Sequence, residues 1–321
     1  MLRSFLIYLS KAAWAQKLVT SWSFAWSWAS RFIAGEGVHD AIRVVRELNA
    51  KGINATVVQL GEHTSTAEEA NLAADAIVSV LDEIDKAGVK ANVSIKLTQF
   101  GMGLDEEICR QNLARILEQA GKSKIFIRLD MEDTPYTDIT ISLYHAMRER
   151  GFDTRQIGLV VQAYLYRTEA DVRALLEEGA RIRLVKGAYN ESADKAYPKK
   201  ADTDANYDLL TKIMIDAALK IENNTASADG RIPPIAVVAS HDDHRIEFAK
   251  KHAEKVGMPK NAIEFQMLYG IRRDLQEQLV RGGYLVRVYV PFGAQWYPYF
   301  MRRLAERPAN IWFFVSNFFR K

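Results

Sequence analysis

The segment "KIFIRLDMED" (residues 124–133) alternates apolar and polar side chains along a β-rich run. Ile125, Ile127 and Leu129 share one parity, and Arg128 and Asp130 share the other. Because successive side chains of a strand point to opposite faces, the segment predicts a strand with one apolar and one charged face. Seven further segments have the same β-rich character: "ATVVQLGEH" (55–63), "NVSIKLTQFG" (92–101), "GLVVQAYLY" (158–166), "RIRLVKGAY" (181–189), "IAVVASHDD" (235–243), "AIEFQML" (262–268) and "YLVRVYVPFG" (284–293).

Helical patterns separate these eight segments. Stretches rich in Ala, Leu and Glu cover residues 66–88, 104–120, 136–150, 168–179, 202–222, 244–257 and 270–282, and residues 294–306 follow the eighth segment. Eight strands that are each followed by a helix predict an α/β fold, a (β/α)8 TIM-type barrel. A doubly wound parallel sheet is the alternative. It is disfavoured because no strand is followed by a Gly-rich phosphate-binding loop.

Length and composition are those of a globular protein. The chain has 321 residues, of which 48% are hydrophobic and 26% are charged. We expect an N-terminal helical extension over residues 1–50, a barrel over 51–310 and a C-terminal aromatic tail over 311–321, with no dividing linker. The net charge of +3 gives no general attraction to nucleic acid. The single cysteine, Cys109, excludes an intrachain disulfide and a zinc cluster built from thiolates, and it fits a reducing compartment.

The two termini are rich in aromatic residues. Arg3, Lys11 and Lys17 interrupt the N-terminal apolar pattern, so the sequence has no run of about 18 apolar residues for a membrane span. No clear cleavage site follows a compact apolar region, so we expect amphipathic helices that pack on the barrel. The C-terminal "ANIWFFVSNFFRK" (309–321) suits packing on its own domain, with a membrane interface as the alternative.

The polar parity of the strands faces the barrel interior if the apolar parity lies under the helices. An ordinary barrel interior is filled by branched aliphatic side chains. Here the polar set near the carboxyl ends of the strands comprises Lys96, Asp130, Gln162, Arg183 and Tyr289. Buried charges are costly, so these groups must pair with one another or with a ligand. A structural ion-pair network is the alternative, but a functional site is favoured because barrel enzymes place their chemistry at this end.

The segment "YPYFMRRLAERPAN" (297–310) follows the eighth strand. Tyr299, Arg302, Arg303 and Glu306 lie at i, i+3, i+4 and i+7, which is one face of one helix. Adjacent guanidinium groups can grip a carboxylate or phosphate with fixed geometry. On spacing alone, a solvated face on which Glu306 pairs with the arginines is the favoured interpretation.

The charges at the barrel mouth do not balance in the sequence. Lys96, Arg183, Arg302 and Arg303 have no nearby acids to match, because Asp130 and Glu306 are too few to neutralise all four. The ligand should therefore be anionic or rich in acceptors. Flat tyrosine surfaces at positions 189, 289 and 299 suit a small ring or a planar cofactor.

The run "HDDH" (241–244) resembles a metal-binding cluster only superficially. It falls where a strand becomes a helix, and adjacent side chains diverge there. We expect Asp242 or Asp243 to cap the helix, and no metal site is predicted.

Several of these segments, in order and with sensible spacing from about residue 55 to 310, resemble the motifs of the proline dehydrogenase family. They are "SIKLTQFG" (94–101), "VVQAY" (160–164), "IRLVKGAY" (182–189), "FQMLYG" (265–270), "RVYVPFG" (287–293) and "WYPYFMRRLAERPAN" (296–310). The family uses FAD to oxidise L-proline to Δ1-pyrroline-5-carboxylate, the first step of proline catabolism. The length is similar to that of the monofunctional bacterial members. The resemblance implies a distorted (β/α)8 barrel with FAD at the carboxyl ends of the strands.

The resemblance also implies a proline-binding site. Arg302 and Arg303 match the pair that binds the proline carboxylate, Lys96 matches a third cation, and Glu306 matches the acid that orients the pair. Residues that match those packed around the pyrrolidine ring are Leu268, Tyr289 and Tyr299. Asp130 matches an acid that pairs with a cation near the site, and it joins Lys96 and Arg183 as the implied catalytic residues.

Other positions match cofactor contacts of the family. Arg183 matches an arginine near flavin N5, and Gln162 matches a glutamine at the flavin–ribityl region. The remaining matched positions are Lys186, Gly187 and Ala188 in the loop around the pyrophosphate and ribityl chain, Tyr189 between flavin and substrate, and Ser240 and His241 toward the adenosine. Asn190 departs from the pattern, because some members carry Trp there, and this weakens the assignment of the adenine-side contacts.

The implied reaction passes a hydride from proline C5 to flavin N5, and the electrons then go to a quinone-type acceptor. That acceptor gives the aromatic tail a role in peripheral contact with the inner face of the plasma membrane, in an otherwise cytoplasmic protein. One rival is a Schiff-base aldolase with Lys96 or Lys186 as the nucleophile. A second rival is a barrel that binds an anion without catalysis.

Overall fold

The computed structural model describes residues 12–20, 28–61 and 63–306, together with residues 9 and 26. The strands within this part of the chain are β1 Asn54–Gln59, β2 Ala91–Ile95, β3 Ile127–Leu129, β4 Ile157–Gln162, β5 Ile182–Val185, β6 Ala236–Ala239, β7 Ile263–Leu268 and β8 Leu285–Phe292. The α-helices are α1 Ala13–Thr20, α2 Val38–Ala50, α3 Ala67–Ala87, α4 Glu106–Lys122, α5 Thr137–Glu149, α6 Thr168–Glu177, α7 Lys200–Ala218, α8 Asp243–Lys255, α9 Arg273–Arg281 and α10 Trp296–Glu306. Short 3-10 helices cover Leu97–Phe100, Thr134–Tyr136 and Lys260–Ala262.

The eight strands form one closed parallel barrel in chain order. β8 pairs with β1, with Val288 beside Ala55, so the sheet has no open edge. A helix follows each strand, from α3 after β1 to α10 after β8. Val93, Ile127 and Val288 are fully buried in the main hydrophobic core. The predicted (β/α)8 barrel is confirmed, and the doubly wound alternative is wrong because the sheet closes.

The strands are shorter than the predicted segments at their carboxyl ends. β2 ends at Ile95, so Lys96 precedes the 3-10 helix Leu97–Phe100, and β3 ends at Leu129, just before Asp130. The residues beyond the strands form bonds that a regular ladder does not provide. The backbone N–H of Thr98, for example, donates to the Glu132 carboxylate over 3.1 Å. The polar residues therefore lie on short loops at the barrel mouth, meaning the end where the strands have their carboxyl termini.

Local capping explains where several helices begin and end. Thr66 accepts the N–H of Glu69 at the start of α3, and Gly88 ends that helix with a φ of +61°. The Asp242 side chain accepts the N–H of His244 over 3.1 Å at the start of α8, as the N-cap prediction required. Within the part of the chain that the structure describes, no group of three or more His, Cys, Asp or Glu side chains could hold a metal ion.

A second hydrophobic cluster joins α10 to the N-terminal segment. Trp296, Tyr297 and Phe300 pack with Ala15 of α1 and with Ile33. The Tyr297 hydroxyl donates to the Leu9 carbonyl over 3.0 Å. Among the described helices, none is long and apolar enough to cross a membrane. The predicted tail, residues 311–321, lies outside the described residues.

An ion pair lies at the amino-terminal end of the barrel interior. Arg287 of β8 donates to both oxygens of Glu264 in β7, over 2.9 and 3.0 Å, and both side chains are fully buried. Arg287 also donates to the carbonyls of Ala55 and Gly230. Arg287 shares the parity of Tyr289 in β8, but nothing in the sequence analysis identified Glu264 as its partner. The pair links β7, β8, β1 and the loop before β6.

Replacing Glu264 with Leu should destabilise the fold, because it leaves the Arg287 guanidinium buried without its counter-charge. We expect a loss of about 3–5 kcal/mol in the free energy of unfolding. The double variant Glu264→Leu/Arg287→Met should recover most of the loss, because it removes both charges. Urea unfolding followed by circular dichroism measures these differences.

An exposed pair provides the matched control. Arg43 and Glu47 lie 3.1 Å apart on α2 with side chains that are 60% and 61% exposed. Glu47→Leu should change the free energy of unfolding by less than about 1 kcal/mol. Equal losses from Glu264→Leu and Glu47→Leu would contradict the importance of the buried pair.

Candidate active site

Asp130 joins three strands at the barrel mouth. Its Oδ1 accepts from Arg183 Nη1 of β5 over 2.9 Å and from Ser94 Oγ of β2 over 2.6 Å. Its Oδ2 accepts from the Tyr289 hydroxyl of β8 over 2.8 Å. Asp130 itself follows β3, so strands from opposite sides of the barrel converge on one carboxylate. The sequence-predicted residues Asp130, Arg183 and Tyr289 therefore form one hydrogen-bonded group.

The ion pair within this group corrects part of the predicted charge balance. Arg183 was expected to lack a matching acid, but Asp130 pairs with it directly, and their side chains are only 5% and 13% exposed. Counting charges along the chain could not identify this pair, because β4 separates β3 from β5 and the two side chains meet across the barrel interior. The pairing agrees with the expectation, drawn from the resemblance, that Asp130 pairs with a cation near the site. The carboxylate also acts on Tyr289. Burial, followed by the charge of Asp130, raises the pKa of Tyr289 well above its usual value, so its hydroxyl stays protonated.

The Arg183 guanidinium is held at two atoms and left open at a third. Its Nε donates to Gln266 Oε1 over 2.6 Å, and its Nη1 faces Asp130. Its central carbon lies 5.5 Å from the Tyr289 ring centroid. Its Nη2 is buried and has no hydrogen-bond partner among the described residues. A buried donor without a partner is costly, so this atom suits an acceptor on a bound ligand.

Glu132 is a mouth acid that the sequence interpretation missed. Its two carboxylate oxygens accept the backbone N–H and the hydroxyl of Thr98, over 3.1 and 2.7 Å. Burial raises the pKa of Glu132, and the bonds from Thr98 and the charge of Lys96 oppose that rise. Lys96 thus has an acid within electrostatic range, contrary to the expectation that it had none. The signal was present, because Glu132 has the same parity as Asp130 in "LDMED".

Gln162 lies at the end of β4 and reaches toward β3. Its Nε2 donates to the Glu132 backbone carbonyl over 2.9 Å, and its own carbonyl accepts the Thr168 hydroxyl. The side chain is almost fully buried. The loops after β2, β3 and β4 are therefore tied together through Glu132, which connects the surroundings of Lys96 to those of Gln162.

The loop after β5 contains four predicted residues. Lys186 Nζ lies 2.5 Å from Asp204 and 2.7 Å from Asp242, so two carboxylates hold it. Gly187 has a φ of +118°, and a Cβ there would overlap the Tyr164 ring. Ala188, the next residue, is exposed. Only a residue without a side chain fits at position 187, and this keeps the loop backbone close to β4.

Tyr189 connects this loop to α10. Burial raises the pKa of Tyr189 well above its usual value, and the charges of Glu132 and Asp130 raise it further. Arg302 opposes this rise, so Arg302 of α10 lies within electrostatic range of the Tyr189 hydroxyl. The two predicted residues therefore lie at the same end of the barrel.

The ends of β6 and β7 contact each other through His241. Its Nε2 accepts the backbone N–H of Leu268 over 2.9 Å. The preceding residue, Ser240, is buried, and its hydroxyl accepts the N–H of Asp242 over 3.1 Å. His241 and Leu268, which were predicted for different ligands, thus lie side by side.

Helix α10 carries the arginine pair over the mouth. The central guanidinium carbon of Arg303 lies 5.2 Å from the Tyr299 ring centroid. Tyr299 is also among the groups that raise the pKa of Tyr289, which places α10 close to β8 at the site. Arg302 and Arg303 are half-buried, unlike the arginines of an ordinary solvated face. The Glu306 side chain lies outside the described residues, so its orienting role remains a prediction.

Comparison with known proteins agrees with this geometry. A family model described as proline dehydrogenase matches residues 41–315. The chain belongs to the proline dehydrogenase family. Proline dehydrogenase 2 of Bacillus subtilis is 37% identical over 99% of both chains. The proline dehydrogenase of Deinococcus radiodurans is 40% identical over 91% of this chain and 90% of its own.

A solved structure shares the same barrel. Proline utilization A from Bdellovibrio bacteriovorus, inactivated by N-propargylglycine, superposes with a TM-score of 0.77 at 27% identity. The match covers 88% of this chain and 33% of that longer protein. The prediction of a monofunctional bacterial proline dehydrogenase, an oxidoreductase of proline catabolism, is confirmed at the level of the family.

Proposed function

We propose that the protein oxidises L-proline to Δ1-pyrroline-5-carboxylate with FAD as its cofactor. The observation that carries this proposal is the group formed by Asp130, Arg183 and Tyr289, which lies within electrostatic range of Tyr299 on α10. It offers one buried donor toward a cofactor and a separate cationic face toward a carboxylate, as a proline dehydrogenase requires.

The residues around the loop after β5 suit a flavin nucleotide. Arg183 Nη2 offers a buried donor to an acceptor on the ring edge. The backbone at Gly187 allows close approach of a ribityl or phosphate group, as glycine does in nucleotide sites. The full proposed cofactor set is Gln162, Arg183, Lys186, Gly187, Ala188, Tyr189, Ser240 and His241. When bound, the flavin accepts the electrons that proline loses.

The substrate carboxylate is assigned to the cations at the mouth. Arg302 and Arg303 bind it with Lys96, and Glu306 orients the arginine pair. Charge-assisted bonds of this kind fix the position of the substrate as well as its affinity. The pyrrolidine ring then packs against Leu268, Tyr289 and Tyr299, which exclude water from it.

Asp130 holds two of the groups at the proposed site in position. Its two oxygens hold the Arg183 guanidinium and the Tyr289 hydroxyl at the same time. Because the Tyr289 pKa is raised, the tyrosine remains a neutral donor to Asp130 while its ring faces the substrate. We assign Asp130 and Arg183 to the catalytic group on this basis, and Lys96 because it matches the third cation of the family's site.

The Schiff-base alternative receives little support from the lysines. Lys186 is held by Asp204 and Asp242, and an ammonium group bound between two carboxylates is a poor source of the free amine that acts as nucleophile. Lys96 lies within electrostatic range of Glu132, so it is not an isolated lysine in an apolar pocket.

The absorbance spectrum of the purified protein tests the function. We expect a flavin band that bleaches when L-proline is added without oxygen, because the substrate reduces the cofactor. D-proline serves as the control, since its carboxylate has the wrong position relative to the ring. A colourless protein that takes up no FAD would overturn the proposal, and ligand binding without bleaching would favour a non-catalytic barrel.

Arg303→Ala should raise the KM for proline by about 10- to 100-fold while the flavin stays bound, because it removes a charge-assisted contact to the carboxylate. Steady-state kinetics with a soluble dye acceptor measure this. Arg46→Ala, at an exposed position of α2, is the control and should leave KM unchanged. An unchanged KM in Arg303→Ala would remove Arg303 from the substrate site.

We further propose that electrons pass to a quinone-type acceptor, and that residues 311–321 contact the inner face of the plasma membrane from the cytoplasm. A chain that ends at Asn310 should lose binding to vesicles that contain anionic lipid. Its turnover with vesicle-borne quinone should fall, whereas turnover with a soluble dye should not. Unchanged vesicle binding would contradict the proposed contact of the tail.

A further inference from the structure

We propose that Gln266 is a positioning residue for Arg183, and that Glu264 fixes the orientation of the Gln266 amide. This inference rests on the proposed function, in which Arg183 faces the flavin. Gln266 lies on β7 beside Arg287 of β8 and Ala239 of β6, and its side chain is buried.

The hydrogen bonds of Gln266 leave its amide a single orientation. Glu264 is a carboxylate paired with Arg287, so it can only accept, and it takes the Gln266 Nε2 donor over 2.6 Å. The amide oxygen must then point the other way. There it accepts from Arg183 Nε over 2.6 Å. Glutamine amides usually have two orientations, but the ion pair beneath this one selects between them.

The second contact of Arg183 completes its placement. Asp130 holds Nη1 over 2.9 Å, while Gln266 holds Nε. Contacts at two different nitrogens fix the plane of the guanidinium. With only one of the two contacts, the guanidinium could rotate about that contact. The plane that results leaves Nη2 as the buried donor without a partner. Gln266 therefore determines which atom of Arg183 is presented to a ligand.

The Gln266 amide is neutral, so it does not change the net charge of the barrel interior. Among the described residues of this network, the buried cations Arg183 and Arg287 are each matched by one carboxylate, Asp130 and Glu264. Arg128 is fully buried too, and it donates to the backbone carbonyls of positions 159 and 181 rather than to an acid. Arg181 is buried as well, and it also donates to backbone carbonyls rather than to an acid. Buried arginines therefore outnumber the carboxylates that pair with them beneath the mouth. A carboxylate at position 266 would offset part of this excess, but its second oxygen would face the Glu264 carboxylate.

An interior with excess positive charge favours the reduced, more negative form of a flavin above it. Gln266 supports this state in two ways, by aiming Arg183 and by adding no negative charge. Loss of either property should make the flavin harder to reduce.

The test is the midpoint potential of the flavin in the holoenzyme, measured spectroscopically against redox dyes. Gln266→Met keeps the side-chain volume but removes the acceptor for Arg183. We expect the equilibrium constant for two-electron reduction to fall about tenfold, a shift of about 30 mV to more negative potential. The kcat should fall, while the KM for proline should change less than twofold, because the carboxylate site is separate.

Gln276→Met is the matched control. Gln276 is a buried glutamine on α9 that donates to the Ile271 carbonyl over 2.8 Å, outside the barrel interior. Its replacement should lower the melting temperature and leave the flavin potential at the value of the parent protein. A purely structural role of Gln266 predicts the same behaviour for both variants.

Gln266→Asn provides a second test, which decides the question if Gln266→Met does not fold. It keeps a neutral amide but is one methylene shorter, so the amide cannot reach Glu264 and Arg183 at once, and the potential should again become more negative. Potentials in the folded Gln266 variants equal to that of the parent protein would overturn the inference. If the parent protein is not reduced by proline, the proposed function itself fails. If it is reduced and only the variants show no shift, the inference alone fails.

Discussion

The ion pair between Asp130 and Arg183 is the contact on which the mouth of this barrel depends. The two side chains lie 2.9 Å apart, and they come from β5 and from the end of β3. Ser94 and Tyr289 also donate hydrogen bonds to Asp130. Burying an arginine is costly unless its charge is paired and its donors have acceptors. The carboxylate satisfies one edge of the guanidinium and leaves another for a ligand. The proposed contact of Arg183 with the cofactor rests on this division.

The pair belongs to a longer chain of hydrogen bonds through the barrel interior. Arg287 binds Glu264, Glu264 accepts from Gln266, and Gln266 accepts from Arg183. Each contact fixes the orientation of the next group, so the amino-terminal end of the barrel constrains the site at the mouth. Ordinary barrels fill this space with aliphatic side chains, which give stability without orientation. Here part of the interior is given to polar groups that fix one arginine.

The sequence was sufficient to predict the barrel, because strand and helix periodicities alternate clearly along the chain. It also placed Asp130, Arg183 and Tyr289 in the interior by parity. It could not predict which charges pair, because pairing depends on how the closed sheet brings distant strands together. Glu264 was missed since its flanking residues look like any apolar strand, and Glu132 was overlooked beside the stronger signal of Asp130. The chemistry of the arginine pair on α10 came from resemblance, because helical spacing alone favoured a solvated face.

The most direct measurement of the central claim is the rate at which L-proline reduces the flavin in variants of Asp130, followed by anaerobic stopped-flow absorbance. Asp130→Ala removes the acceptor for both Arg183 and Tyr289. The reduction rate should fall by about 100-fold or more with flavin still bound, because the reacting groups lose their alignment. Asp130→Asn keeps one acceptor oxygen and should fall between Asp130→Ala and the parent protein. Reduction of Asp130→Ala at the rate of the parent protein would contradict the account.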